Sequence, residues 1–270
     1  PIRFYDEAAY ATRAERDRRI ADGHRMRDLS RDQIRQIWKD YMGLVACVDH
    51  ETGRLLAALR ELGLEEETIV LFSADHGKSL GEWGATEKGF FDSEVWRVPF
   101  VLAGPGVEAQ GEVREDICEL IDTGRTLLAL AGLEAPPAFR GRVVVGRDAD
   151  PAPDAVFAQI GWPDHEAPLF KQSTPKAWSA ADAARRAAMR AAVRTARYRM
   201  DITWYAAGQP VAPDDADGNL FDLVNDPYET RNLWALPEMQ PVVRDLWQKL
   251  AAWFEGLDRH PQLFSTPPAP

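Results

Sequence analysis

The sequence predicts an α/β chain. A mostly parallel sheet with flanking helices is expected over residues 1–150, and a small antiparallel α+β subdomain over 151–270. Three observations predict this. Strand and helix patterns alternate up to about residue 135. Ile69-Val70-Leu71-Phe72 is a continuous apolar run, as in a parallel strand covered on both faces. After residue 155 the pattern turns hairpin-like and ends in an amphipathic helix.

Taken in order, residues 1–29 are polar and rich in Arg and Asp, and read as a loop with a short helix anchored by Tyr5 and Tyr10. Ser30 and Gln33 have the spacing of a capping box. Ile34, Ile37, Trp38, Tyr41, Met42, Val45 and Val48 follow at helical spacing. Leu55, Leu56, Leu59 and Leu62 continue the stripe, and Gly63 stops it. Ile69–Phe72 is the next strand, and Arg97 to Gly106 carries another, centred on Val98–Leu102. Asp122 to Leu133 reads as a helix ending near Gly132. Pro136-Pro137, and Asp148 to Asp154 with Pro151 and Pro153, mark a linker. Beyond it, Ala155–Ile160 reads as a strand, Ala180–Met189 as a helix, Arg190–Tyr205 as a strand or hairpin, and Asn219–Val224 as a strand. Pro241–Leu257 is an amphipathic helix, with Trp234, Trp247 and Trp253 as core, and the Pro-rich end reads as a disordered tail.

Chemistry concentrates after the first strand. It runs Ser73-Ala74-Asp75-His76-Gly77, then a glycine-rich loop with Gly81 and Gly84, then Lys88, Arg97-Val98-Pro99 and Gly104-Pro105-Gly106. In open α/β sheets ligands gather at the carboxyl ends of strands. Asp75 offers an anionic oxygen and His76 an imidazole nitrogen, a pair suited to a divalent metal. Neighbouring strand residues point to opposite faces, so the chain must leave strand geometry at Asp75 for both to serve one ion. Gly77 permits that turn. Other candidates have plainer readings. Lys78 and the Asp49-His50 pair read as solvated, Arg97 reads equally as a structural ion pair, and His165 as a surface residue. Trp83 lines the mouth of the loop or pins it.

The whole pattern resembles the sulfatase branch of the alkaline-phosphatase superfamily, closest to phosphonate monoester hydrolases and choline sulfatases. Asp122 to Leu133 and the turn Leu223-Val224-Asn225-Asp226-Pro227-Tyr228-Glu229-Thr230-Arg231-Asn232-Leu233 match further segments of that family, so the resemblance covers roughly residues 30–257. It implies an alkaline-phosphatase-like, incomplete fold. It implies that Asp75 and His76 coordinate one divalent metal, and that Lys88 is both the catalytic cation and the contact to the transferred sulfuryl or phosphoryl group. Calcium, manganese and zinc are the candidate ions; imidazole nitrogen matches manganese or zinc better than calcium. Lys78 after Gly77 departs from the family's usual acidic residue.

The family's formylglycine arises in an N-terminal Cys/Ser-x-Pro-x-Arg motif. Neither Cys47 nor Cys118 is followed by Pro and Arg at those offsets, and the early Asp-Asp metal pair is not recognisable. The chain thus resembles the C-terminal half of such an enzyme, with the formylglycine expected in a missing N-terminal part. The implied function is hydrolysis of sulfate or phosphonate/phosphate monoesters or diesters, with the chain inactive alone; the alternative is a non-catalytic remnant that folds or oligomerises without turnover. A net charge of −11 opposes bulk binding to nucleic acid or anionic membrane. No apolar run is long enough to span a bilayer. The expected partner is a small anionic ester, with a homo-oligomer possible on no specific signal. No leader pattern is visible at Pro1, and localisation stays open with a lean to the cytoplasm.

Overall fold

The computed structural model describes residues 7–24, 26–107, 111–161, 189–206 and 209–258. The chain divides into two compact units, residues 1–10 with 17–153, and residues 11–16 with 154–270. Two helices, α1 (Glu7–Ala11) and α2 (Glu15–His24), carry the chain through the first crossings.

The longest helix of the first unit is α3 (Arg31–Glu61). Its capping box forms as the spacing predicts. The Ser30 hydroxyl accepts the Gln33 N–H at 3.2 Å, and the Gln33 side chain accepts the Ser30 N–H at 2.8 Å. At the other end Gly63 adopts φ +70°, which lets the Leu64 N–H reach the Leu59 carbonyl at 2.9 Å. No α3 residue is fully buried among the described residues, and Leu44, Val48 and Leu55 are exposed. The apolar stripe therefore marks a face that the described chain leaves uncovered.

Strand β1 (Val70–Ser73) pairs with β4 (Phe100–Ala103). The pairing is antiparallel, with Val70 opposite Ala103 and Ser73 opposite Phe100. The sequence reading puts both strands in a mostly parallel sheet, but no parallel pair occurs among the described residues. Parallel neighbours need a crossover of a dozen or more residues that runs back along the sheet. Here the connection holds a two-stranded hairpin, β2 (Ser79–Leu80) with β3 (Thr86–Glu87), and the four-residue α4 (Ser93–Trp96). It folds at the end of β1, so the chain re-enters beside β1 in the opposite sense. Nor is the run covered on both faces here, since Phe72 and Val101 are exposed.

The hairpin is well anchored. The Trp38 indole N–H of α3 donates to the Leu80 carbonyl at 2.9 Å, and Ala85 and Phe90 share a small core with Tyr10 and Ala21. Helix α5 (Asp122–Leu130) ends before Gly132, which sits at φ +69°. Buried Asp122 accepts the N–H groups of Glu119 and Arg142 at 2.9 and 2.8 Å, and so latches the segment after Phe139 to the helix.

The second unit is an antiparallel sheet with one helix. Strands β5 (Ala155–Ile160), β6 (Met189–Thr195) and β7 (Tyr198–Ala206) lie side by side, and β8 (Gln209–Pro210) and β9 (Gly218–Asp222) both pair with β7. Helix α6 (Gln240–Asp258) packs Val243, Leu246 and Leu250 into one core with Ala191, Val193, Met200 and Ile202. Trp234, Trp247 and Trp253 pack against it. The expected helix over Ala180–Met189, the loop with His165 and the tail lie outside the described residues, except that Met189 opens β6.

Strand alternation sends Arg199 and Asp201 to the opposite face from Met200 and Ile202. There they form a buried ionic network. Arg199 holds Glu229 through two bonds of 3.0 Å, Asp201 bonds both Arg199 and Arg190, and Asn219 donates to Asp201. Residues 11–16 are sewn onto this face. The Ala14 N–H donates to Asn219 at 2.9 Å, Asn232 donates to the Thr12 carbonyl at 2.7 Å, and the Arg13 guanidinium lies 4.7 Å from the Phe221 ring centroid. The Leu223–Leu233 turn is thus structural: Glu229 anchors Arg199, and Asn232 also accepts the Leu220 N–H at 2.9 Å.

Candidate functional site

β1 delivers Asp75 and His76 just past its end, where regular strand pairing has stopped. The loop is then strapped to α4. The Gly77 N–H donates to the Val95 carbonyl at 2.7 Å, and the Lys78 N–H to the Glu94 carbonyl at 3.0 Å. A Cβ on Gly77 would lie 2.0 Å from the Glu94 oxygen. Glycine is required here by close backbone approach, whereas the sequence argument invoked its conformational freedom.

The turn brings both side chains to one side. The Asp75 Oδ1 accepts the His76 backbone N–H at 2.9 Å, and its Oδ2 lies 3.4 Å from His76 Nε2. The His76 Nδ1 is 2.8 Å from the Gly77 carbonyl. A carbonyl only accepts, so Nδ1 carries the proton, and in the neutral ring Nε2 presents its lone pair. Lys88, just beyond β3, places its Nζ 2.8 Å from that Nε2. Asp75, His76 and Lys88 therefore meet at one locus. Asp75 is largely exposed and His76 about a third exposed, so the locus is open to solvent.

The hairpin explains how Lys88 arrives. Ser79 stands opposite Glu87, so Lys78 and Lys88 emerge at the same end of the ladder. Lys78 bonds Glu87 at 2.7 Å, contrary to its reading as a solvated side chain. That hydrogen bond, with the lysine charge behind it, holds the Glu87 carboxyl below the usual carboxylate range. The other strand of the hairpin is fixed by His24, whose Nδ1 accepts the Thr86 N–H at 3.1 Å. Trp83 occupies the hairpin tip at φ +56°, between Gly81 and Gly84, which also have positive φ. Arg97 is exposed at the end of α4, and His50 is exposed on α3.

Sequence reasoning missed the partners that hold the site. Glu94 and Val95 act through backbone carbonyls, which leave no trace in residue type. The Lys78–Glu87 pair was findable, because β2–β3 pairing puts opposite charges near each other across a short loop. As a metal site the locus is partial. Asp75 and His76 supply an oxygen and an imidazole nitrogen whose ring is oriented by a backbone carbonyl, the usual outer support of a metal-bound histidine. Among the described residues no group of three or more His, Cys, Asp or Glu side chains converges. An oxygen and an imidazole nitrogen are donor types that suit a divalent ion, and the two would supply part of its shell.

Residues 3–133 match the Sulfatase family model. The chain is 28% identical over 227 residues to the multifunctional alkaline phosphatase superfamily protein PehA of Trinickia caryophylli, covering 83% of this chain and 41% of that protein. It is 29% identical over 222 residues to an ulvan-active sulfatase of Formosa agariphila, covering 80% of this chain and 38% of that one. The fold resembles that of the phosphonate monoester hydrolase SpPMH of Silicibacter pomeroyi, with a TM-score of 0.71 at 22% identity over 93% of this chain and 49% of that chain. The chain thus spans about two fifths of the length of these two curated relatives. Residues 3–133 thus resemble the Sulfatase family, and the chain is similar in sequence to an alkaline phosphatase superfamily protein and to a sulfatase.

Proposed function

We propose that this chain is the C-terminal part of a sulfatase-like, metal-dependent hydrolase of small sulfate or phosphonate/phosphate esters. The observation that carries the reading is the meeting of Asp75, His76 Nε2 and Lys88 at one solvent-open locus within the sulfatase-family segment. Asp75 and His76 would hold a manganese, zinc or calcium ion. When bound, that ion would supply Lewis-acid charge against the oxygens of the ester. Lys88 binds and neutralises a non-bridging oxygen or the leaving oxygen as a point charge. The Gly77 carbonyl keeps the proton on Nδ1, so that Nε2 faces the locus as an acceptor.

The nucleophile, a formylglycine, and the remaining metal ligands belong to a part of the fold that this chain does not span. The β1–β4 pair would then be one antiparallel edge of a larger, mostly parallel sheet. The uncovered apolar stripe of α3 and the exposed Phe72 and Val101 fit such an extension. Residues 154–270 would be the small antiparallel subdomain closing the chain.

The test is an assay of the purified chain on aryl sulfates and phosphonate monoesters with manganese, calcium and zinc. Turnover at background is expected, because an open catalytic metal site usually needs about three protein ligands and the covalent step needs its nucleophile. Adding a sulfatase-type N-terminal half should restore turnover, and Lys88→Ala or Asp75→Ala should then slow it by about a hundredfold or more, the scale of one lost transition-state contact. Turnover by the chain alone, abolished by Asp75→Ala, would mean a nucleophile lies within these residues. No turnover after reconstitution of a folded whole would favour a non-catalytic remnant.

A further inference from the structure

We propose that His24 is a positioning residue for Lys88: it grips the chain on both sides of that lysine and so fixes where the ammonium points. This rests on the reading of Lys88 as the cation that meets the anionic ester. Two residues before Lys88, the Thr86 N–H donates to His24 Nδ1 at 3.1 Å. Two residues after it, the Phe90 ring meets the His24 ring edge-on, with centroids 6.1 Å apart and planes at 79°. Phe90 is itself buried, in a small core with Tyr10, Ala21 and Ala85. Both grips come from one half-buried imidazole at the end of α2. An amide N–H only donates, so His24 Nδ1 presents its lone pair and the neutral ring carries its proton on Nε2. That is the opposite tautomer to His76, whose Nδ1 faces the Gly77 carbonyl.

The hairpin cannot hold Lys88 by itself. Its ladder has two rungs, Ser79 opposite Glu87 and Leu80 opposite Thr86, and so short a pair of strands is marginal in water. Side chains take the place of further strands. The Glu82 carboxylate accepts the Leu80 N–H at 2.6 Å, the Trp38 indole donates to the Leu80 carbonyl at 2.9 Å, and His24 accepts from Thr86. Between the two grips of His24 the backbone is strained. Glu87 sits at φ +68° and Gly89 at φ +107°. A glutamate keeps such a conformation only where its surroundings over-determine it. Lys78 holds the Glu87 side chain at 2.7 Å, and His24 holds the residue before it. Lys88 follows this turn, and its Nζ lies 2.8 Å from His76 Nε2. Freed at Thr86, Glu87 would relax toward negative φ and carry Lys88 away from His76.

The test uses the full chain labelled with nitrogen-15, and three variants. His24→Asn keeps an acceptor at the place of Nδ1, His24→Gln moves it outward, and His24→Phe keeps a ring against Phe90 with no acceptor. In the parent the His24 ring should show the Nε2–H tautomer and the His76 ring the Nδ1–H one. His24→Phe and His24→Gln should lower protection of the Thr86 amide about three- to tenfold, the scale of one neutral hydrogen bond. They should also shift His76 Nε2 as Lys88 leaves it, whereas His24→Asn should stay within about twofold of the parent in protection and keep the His76 signal. The glutamine variant carries the comparison if the phenylalanine one does not fold. Protection of the Lys78 amide, on the strap to α4, should hold within about twofold in every variant, which a general loss of structure would not allow. Titration with inorganic sulfate should move the Lys88 side-chain signals at one midpoint in the parent and His24→Asn, and at a midpoint about three- to tenfold higher in the other two. An unshifted His76 Nε2 in His24→Gln and His24→Phe, equal behaviour of His24→Asn and His24→Gln, or a matching fall at Lys78 would overturn the positioning role. Lys88 signals that ignore sulfate in the parent, with the His76 pattern as expected, would overturn the reading of Lys88 as the ester's cation and leave the positioning in place.

Discussion

Gly77→Ala is the substitution that tests whether the site is held by its backbone strap. Without movement the new Cβ would stand 2.0 Å from the Glu94 oxygen, 3.0 Å from its carbonyl carbon and 3.3 Å from the Val95 Cα. All three are backbone atoms, so no side chain can rotate away. Real Cβ contacts essentially never fall under 3.0 Å, so the loop and α4 must part by at least about 1 Å. Two hydrogen bonds span that gap, Gly77 to Val95 at 2.7 Å and Lys78 to Glu94 at 3.0 Å. Each contributes a net ~0.5–1.5 kcal/mol, and overpacking of this kind costs ~1–3 kcal/mol. The terms overlap, so ~2–4 kcal/mol of local stability should be lost. At ~1.4 kcal/mol per tenfold, protection of the Lys78 amide against hydrogen exchange should fall roughly thirty- to seven-hundredfold. His76 precedes the strap by one residue, so its contact to Lys88 should be lost with it. Protection within about twofold of the parent, with the His76–Lys88 contact intact, would refute the claim that close approach dictates this glycine.

Arg199→Met should destabilise the second unit by ~3–5 kcal/mol, because it removes both bonds from Arg199 to the buried Glu229 carboxylate and its bond to buried Asp201; denaturant unfolding followed by tryptophan fluorescence reads it, and a second change, Glu229→Gln, should cost far less in that background than alone. Asp222 is held at about 2, against an ordinary 3.8, chiefly by its hydrogen bond from Arg197. A depressed carboxylate stabilises the fold above its unfolded value and loses that stabilisation as pH falls through the folded one. Asp222→Asn should therefore lower the melting temperature at pH 7, and the difference from the parent should shrink below about 3.8 and vanish as pH passes about 2. A constant difference across that window would show that the Arg197 pairing is not its source.

Much of the architecture was legible before any coordinate. Ser30 and Gln33 specify a helix start because both reciprocal bonds are local. The hairpin of β6 and β7 and the α6 helix follow from periodicity, which records the side that faces a core. Asp75, His76 and Lys88 stood out because few residue types carry such chemistry and they stand in a recognisable order. Strand direction was not legible. An apolar run states that β1 is shielded somewhere, but the sense of its pairing with β4 depends on where the connection folds, which periodicity does not encode.

The sequence by itself determined which groups are present at the site and which segments are helix or strand, because those are properties of residue type and local spacing. Only the tertiary structure decided what each group touches. Carbonyl oxygens of Glu94 and Val95 hold the loop, and the carbonyl of Gly77 selects the imidazole proton. Backbone acceptors of this kind are identical at every position and so carry no sequence signal. Likewise Lys78 and Lys88 are the same residue type, and only the register of β2 against β3 gives one to Glu87 and the other to His76. Arg199 and Asp201 are charged residues of a strand, yet they are buried, because residues 11–16 and the Glu229 turn, distant along the chain, close over them. Burial and pairing depend on contacts between remote segments, and those exist only once the chain has folded.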